Sequence, residues 1–296
     1  MDKNKLNKML DRLSILYYLC NMNKLPIQKK VQIINLLVEG SSLRAASRIA
    51  DCSINTVTKL LVDVGRACER FHDEKVRALK STKLQADEIW SFVYSKQKNV
   101  PDGMENFAGD IWTWTAIDAD SKLIVSWFIG DRTALSANLF MKDVASRLSN
   151  RVQLTTDGLS AYVNAVDNAF GSNVDFAQLQ KIYGSAEGES QTERKYSPAQ
   201  CTGAIKNVIT GNPDEKHIAT SYVERQNLTI RMHNRRFTRL TNAFSKKVDN
   251  HCLALALHFV YYNFVKIHKT LRVPPAMQAG LIKRLMTIED IVKLAD

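Results

Sequence analysis

Residues 84–94 read LQADEIWSFVY. Branched and aromatic residues dominate this stretch, and its length suits a single β-strand. The preceding residues, 66–83, are charged and read as a helix followed by a linker, so the period of the chain changes here. Working outward, 111–118 and 123–129 read as two more strands. The turn residues between them, from Asp118 to Lys122 (DADSK), predict an antiparallel hairpin. All four tryptophans lie in or beside these strands. A helix over 134–148 comes next, then a short strand over 152–156 that ends at Asp157-Gly158, then a helix over 159–169. Three strands, a helix, a strand and a helix make a mixed α/β sheet. Residues 175–216, rich in Gly, Ser, Glu and Pro, read as an irregular insertion. A short strand over 217–219 leads into the next helix. The apolar run 253–265 reads as a buried helix, Pro274-Pro275 as a terminator, and 282–296 as a tail.

Within this frame three acids stand out. Asp87 lies mid-strand, where a buried charge is costly unless paired or bound to metal. Asp157 ends the fourth strand, beside a glycine that lets other groups approach. Glu224 heads the stretch 220–240, TSYVERQNLTIRMHNRRFTRL, in which Arg225, Arg231, Arg235, Arg236 and Arg239 follow; no acid recurs until Asp249. The arginines suit phosphate, because a guanidinium forks onto two of its oxygens. Ser221 and Glu224 also have the spacing of a capping box, so Glu224 reads as a cap, a salt-bridge partner or a metal ligand. Glu88 adjoins Asp87, but neighbours on a strand face opposite sides, so only one of them can serve. Asp118 and Asp120 read as turn formers. The histidines at 217, 233, 251, 258 and 268 lack paired metal spacing and read as packing residues. If the three acids converge, their repulsion raises their pKa values unless a divalent cation compensates. A pair of Mg2+ ions does so while activating a hydroxyl and stabilising a leaving oxygen.

The N-terminal part reads as all-helical over residues 1–75. A helix of uncertain role fills residues 1–24, and a second opens after Pro26. Then 42–65, SLRAASRIADCSINTVTKLLVDVG, has the layout of a helix-turn-helix within 27–65. Ala45, Ala46 and Ile49 allow a close crossing, Asp51-Cys52 makes the turn, and Ser53 caps the second helix. Asp51 stands where glycine is common, and Asp tolerates the left-handed conformation. Asn55, Thr56, Thr58 and Lys59 would face outward to base edges or phosphates. An ordinary three-helix bundle is the competing reading.

The balance of 41 Lys+Arg against 30 Asp+Glu, a net charge of +11, favours polyanionic partners. The odd count of 5 cysteines, without a CxxC pair, argues against a disulfide framework and a cysteine zinc site. The opening MDKNKLNKML carries scattered charges and predicts no secretory signal. The run 253–265 is too short to cross a bilayer, which takes about 20 residues. A cytoplasmic, nucleoid-associated protein is expected, with no membrane partner.

At these residues the chain resembles the insertion-sequence-one family of DDE transposases. The matching pieces are ADEIW around Asp87, GDRTA after the third strand, TTDGLSAY around Asp157, and SYVERQNLTIRMHNRRFTRLTNAFSKK from Ser221. The tail YYNFVKIHKTLRVPPAM is similar to the end of the family's catalytic core. The resemblance covers about 84–281 and implies an RNase H-like core with Asp87, Asp157 and Glu224 as catalytic metal ligands. It further implies Mg2+ as cofactor, two ions with Mn2+ as a substitute, and in-line attack on DNA by water and then by a 3′-hydroxyl. The expected partners are double-stranded DNA (element ends and target) and further copies of the chain, a dimer or larger on DNA. Arg225, Arg231, Arg235 and Arg236 would contact that DNA. Many family members carry an N-terminal cysteine zinc finger that is absent here. The rival readings are a catalytically silent DNA-binding regulator derived from a transposase, and a nuclease that cuts without joining.

Overall fold

A computed structural model describes residues 25–184, 200–238 and 241–296. The helix expected within 1–24, the centre of the 175–216 stretch and Arg239 lie outside the described residues. Three helices open the described chain: α1 (Ile27–Val38), α2 (Leu43–Ile49) and α3 (Ile54–Lys75). Ser42 caps α2 by accepting from the Ala45 amide, and Ser53 caps α3 by accepting from the Asn55 amide. Asp51 turns the chain between them at φ 45°, as its tolerance of that conformation predicts. The sequence suggests two helices over 54–83. The structure has one of 22 residues, because apolar Val57, Leu60, Leu61, Val64 and Cys68, continued by buried His72, keep a single buried stripe.

The body is a six-stranded mixed sheet: β1 (Lys83–Val93), β2 (Gly109–Asp118), β3 (Ile124–Gly130), β4 (Val152–Thr156), β5 (Val174–Gly184) and β6 (Gln200–Thr210). Their order is β3-β2-β1-β4-β5-β6. β1 pairs antiparallel with β2 and parallel with β4, β4 is parallel to β5, and β5 and β6 are antiparallel. The expected β2–β3 hairpin is present, and Asp118 forms its turn by accepting from the amides of Asp120 (3.0 Å) and Ser121 (2.6 Å).

Helices cover both faces. On one face, α4 (Ala134–Ser146) and α5 (Ala161–Phe170) pack over Leu84, Ala86 and Trp114; the Trp114 ring lies 5.4 Å from Tyr162 and 6.0 Å from Phe140. On the other, α6 (Ser221–His233) and α7 (Val248–Phe264) pack over Ile89, Ile117 and Ile124. α7 is buried along almost its whole length. Its Asn263 reads the backbone of Ile124 in both directions, donating to the carbonyl and accepting from the amide at 2.9 Å each. Gly65 brings α3 against α7 so closely that a Cβ there would lie 2.6 Å from the Leu253 carbonyl oxygen. This six-stranded mixed sheet flanked by helices is compatible with the expected RNase H-like architecture.

Several expectations are corrected. The stretch 175–216 is not mainly irregular, since two 11-residue strands flank the part outside the described residues. The Gly, Ser and Pro content that suggested a loop is concentrated at 184–191 and 211–214. Residues 215–217 form a single helical turn rather than a strand. Pro274 does not end an element but precedes α8 (Pro275–Gln278), where a first-turn proline costs no hydrogen bond. The tail 282–296 contains α9 (Ile288–Lys293), whose Ile288, Ile291 and Val292 are buried in the main core. No helix among the described residues is long and apolar enough to cross a membrane.

Candidate metal centre

The site is built where β4 stops and β1 continues. The last β1–β4 pair is Ala86↔Thr156, so Asp87 and Asp157 each stand one residue beyond it, side by side at the open end of the parallel pair. Glu88 comes next on β1. As alternation requires, Asp87 faces α6, where its Oδ2 accepts from Asn227 at 2.8 Å, and Glu88 faces α5, where its Oε2 accepts from the Tyr162 hydroxyl at 3.0 Å. With no strand edge left between them, the two faces meet. Ligand atoms of Asp87, Glu88 and Asp157 all lie within 4.8 Å of one another. The two neighbours do face opposite sides as expected, but that does not exclude one of them from the acidic group, so the expectation that only one could serve is corrected to a cluster containing both.

Glu224 is not one of these three but lines the same cleft, about 750 Å³ in volume, together with Arg132, Lys181, Asn227 and Arg231. Its carboxylate pairs with Lys181 and accepts from the Thr220 hydroxyl at 2.6 Å. The capping-box reading is also corrected. Thr220, not Ser221, precedes the helix, and no side chain of the local sequence caps it. The amides of Tyr222 and Val223 are instead satisfied from across the fold, by Oε1 of Gln85 at 2.8 and 3.2 Å. Gln85 and Asp87, two residues apart on one face of β1, thus both hold α6, one by its first turn and the other through Asn227.

The electrostatics are those of crowded negative charge. Burial, then Glu88 and Asp157, push the Asp87 carboxyl up to about 8. Burial likewise raises Asp157, against the Leu159 amide (3.0 Å) and Arg132. Glu88 is raised by burial and by Asp157, and Arg132 opposes this by donating at 2.7 Å from Nε. Arg132 also reaches to 3.8 Å from Asp157, with its guanidinium over the Trp112 ring. The donor set is all oxygen and hard, and its charge is under-compensated by protein cations. A hard divalent cation would suit both conditions.

The predicted phosphate arginines do not form one clamp. Arg231 lines the carboxylate cleft. Arg225 lies on the far side of α6 in another cleft. Arg235 and Arg236 face a small internal space against α1 and α7, where burial lowers Arg236 to about 10 and its Nε has no partner among the described residues. In the N-terminal helices Asn55 is exposed. The Thr58 hydroxyl bonds back to Ile54 (2.8 Å), Lys59 pairs with Asp63 (2.6 Å), and Thr56 is half-buried. Gln85, Arg132, Lys181 and Asn227 carried no expectation of a site role. The charge in GDRTA just past β3 was the available signal for Arg132, and Lys181 was lost in the supposed insertion.

No protein-family model and no curated protein matches the chain. Among solved structures it is similar, at 10% identity and a TM-score of 0.32, to a piggyBac transposase seen by cryo-electron microscopy in a synaptic complex with hairpin DNA. The likeness covers 76% of this chain and 54% of that one, so the chain spans about half the length of the transposase. At that level it decides neither fold nor function.

Proposed function

We propose that the chain is a DNA transposase with an RNase H-like core, acting through a divalent cation on phosphodiester bonds. The observation that carries the reading is the convergence of Asp87, Glu88 and Asp157 within 4.8 Å in an open cleft shared with Glu224. The motifs around Asp87, Asp157 and Glu224 that resemble the insertion-sequence-one family support it. Asp87 and Asp157 would hold the cation, with Glu224 or Glu88 completing the oxygen donors. When bound, Mg2+ makes a hydroxyl nucleophilic near neutral pH and offsets the charge gathering on the phosphate. Asn227 orients Asp87, and Arg132 holds Glu88 in place. Lys181, Arg132 and Arg231 make the cleft attractive to a phosphodiester despite its carboxylates. The α2–turn–α3 segment would recognise element ends through exposed Asn55 and its neighbours Thr56, Thr58 and Lys59. The assembly would be a dimer or larger on DNA in the nucleoid.

The test is strand transfer with DNA from the element's own ends and Mg2+. Asp157→Asn should join no ends while binding the same DNA as tightly as the wild type. Equal product from both proteins would remove the reading.

A further inference from the structure

The side of α6 turned away from the carboxylates borders a second cleft, about 220 Å³ in volume. Lys122, Arg225, Lys266 and Lys269 line it, with His233 and His268, and no Asp or Glu does so among the described residues. Lys122 lies over the Tyr222 ring, 3.2 Å from its centroid, and Lys266 meets His233 at 2.7 Å. Arg225 and Lys269 are exposed and no salt bridge engages either among the described residues. At the floor, Gln226 is 2% exposed and its Nε2 donor has no partner there. The lining of α6 runs from Tyr222 to His233, about 16 Å of helix. Glu39 approaches His233 to 3.6 Å from outside the lining, which leaves cations in excess over carboxylates here. Such an excess selects an anion, and an unanswered buried amide donor adds an acceptor to what the ligand must offer. The length along the helix exceeds a single phosphate group. Exposed Tyr222, Met232 and Ile267 add apolar surface suited to sugar or base.

We propose that this cleft binds the phosphodiester backbone of a nucleic-acid segment other than the one held at the carboxylates, so that α6 is a wall between two DNA tracks. The proposal rests on the transposase reading for its choice of nucleic acid over an acidic polypeptide.

The experiment compares three full-length proteins: wild type, Arg225→Gln/Lys269→Gln, and a charge-matched control, Lys98→Gln/Lys142→Gln, at two exposed lysines elsewhere. Binding of a labelled duplex is followed by anisotropy across a salt series. The Mg2+-induced rise in melting temperature reports separately on the carboxylate cleft. The groove variant should bind about tenfold more weakly, with a salt slope shallower by about one to two. Its Mg2+ response should match the wild type, and the control should change little. Equal weakening in both variants would mean unspecific charge, and no weakening in the groove variant would mean no track; either overturns the proposal. A stronger effect on polyglutamate binding than on DNA binding would also overturn it, in favour of an acidic polypeptide. If the groove variant behaves as expected but the wild type joins no ends, the transposase reading falls and the nucleic-acid groove remains.

Discussion

Asp87 owes its position to its neighbours: one residue earlier it would pair with β4, and one later it would face α5. Buried among other carboxylates, it gains most from a cation. Mg2+ should therefore raise the melting temperature of the wild type, EDTA should reverse the rise, and Asp87→Asn should abolish most of it in differential scanning fluorimetry. A wild-type melting curve indifferent to Mg2+ and Mn2+ would remove the metal. Glu224 poses a different question, since its structural partners are Lys181 and Thr220. Glu224→Gln keeps a side-chain oxygen for Thr220 and loses a partly exposed ion pair, so stability should change by less than about 1 kcal/mol. Joining activity should fall to background, and normal activity would show the pairing with Lys181 to be its whole role. At this scale the sequence was informative about acids and poor about their company. A carboxylate in a strand stands out by its cost. Whether Glu88 can reach around depends on where β4 stops, and no local pattern encodes that.

Among the elements, α3 and α7 cross at Gly65, which has an ordinary helical backbone and is needed for space alone. Gly65→Ala should stabilise an isolated helix, yet here should cost about 1–3 kcal/mol by chemical denaturation, because the Leu253 backbone cannot retreat. An unchanged or improved midpoint would show that the crossing is looser than described. Several elements were legible: α1 and β1 to β4 lie close to their expected places, and the apolar run 253–265 marks most of α7, which starts five residues earlier at Val248. The pair β5–β6 was not, because composition averaged over 175–216 hid two strands beside glycine-rich turns, and neither shows a clean alternation: β5 buries Phe176 to Leu179 in succession and β6 is mostly exposed. The start of α6 was misread for a related reason. Ser221 and Glu224 have the right spacing, but the cap comes from Gln85, far away in sequence and adjacent only once the sheet exists.

For the molecule as a whole, the N-terminal helices and the α/β body share one core. Arg147 joins them: it is 6% exposed and donates to Asp143 (2.6 Å from Nε) on α4, and to Asp73 (2.9 Å) and the Val76 carbonyl (3.2 Å) at the end of α3. Burial favours the neutral form of Asp143, but bonds from Arg147 and Ser126 outweigh it and hold the carboxyl below its ordinary range. A depressed folded-state pKa contributes stability above the unfolded value, about 3.9, and that contribution fades as pH falls through the folded one. Asp143→Asn should thus be less stable than the wild type at pH 7, with the gap closing below about pH 4. A gap independent of pH would mean that the Asp143 charge contributes nothing. The sequence reading divides the chain into a helical region and an α/β one, whereas buried residues of α1, α2 and α3 belong to the same core cluster as those of the sheet and its helices. α3 runs unbroken from the turn at Ser53 to His72, whose ring Nε2 donates to the Ile124 carbonyl (3.1 Å) on the edge strand. Its 22 residues measure about 33 Å, close to one turn of duplex DNA. A rigid rod of that length works as a ruler. On the proposed reading, the offset between the bases gripped near Asn55 and the bond broken at the sheet is fixed by helix geometry and not by a tether. Lengthening α3 by one residue would also rotate the grip by about 100° around the helix axis, so recognition and cutting could drift only in discrete steps.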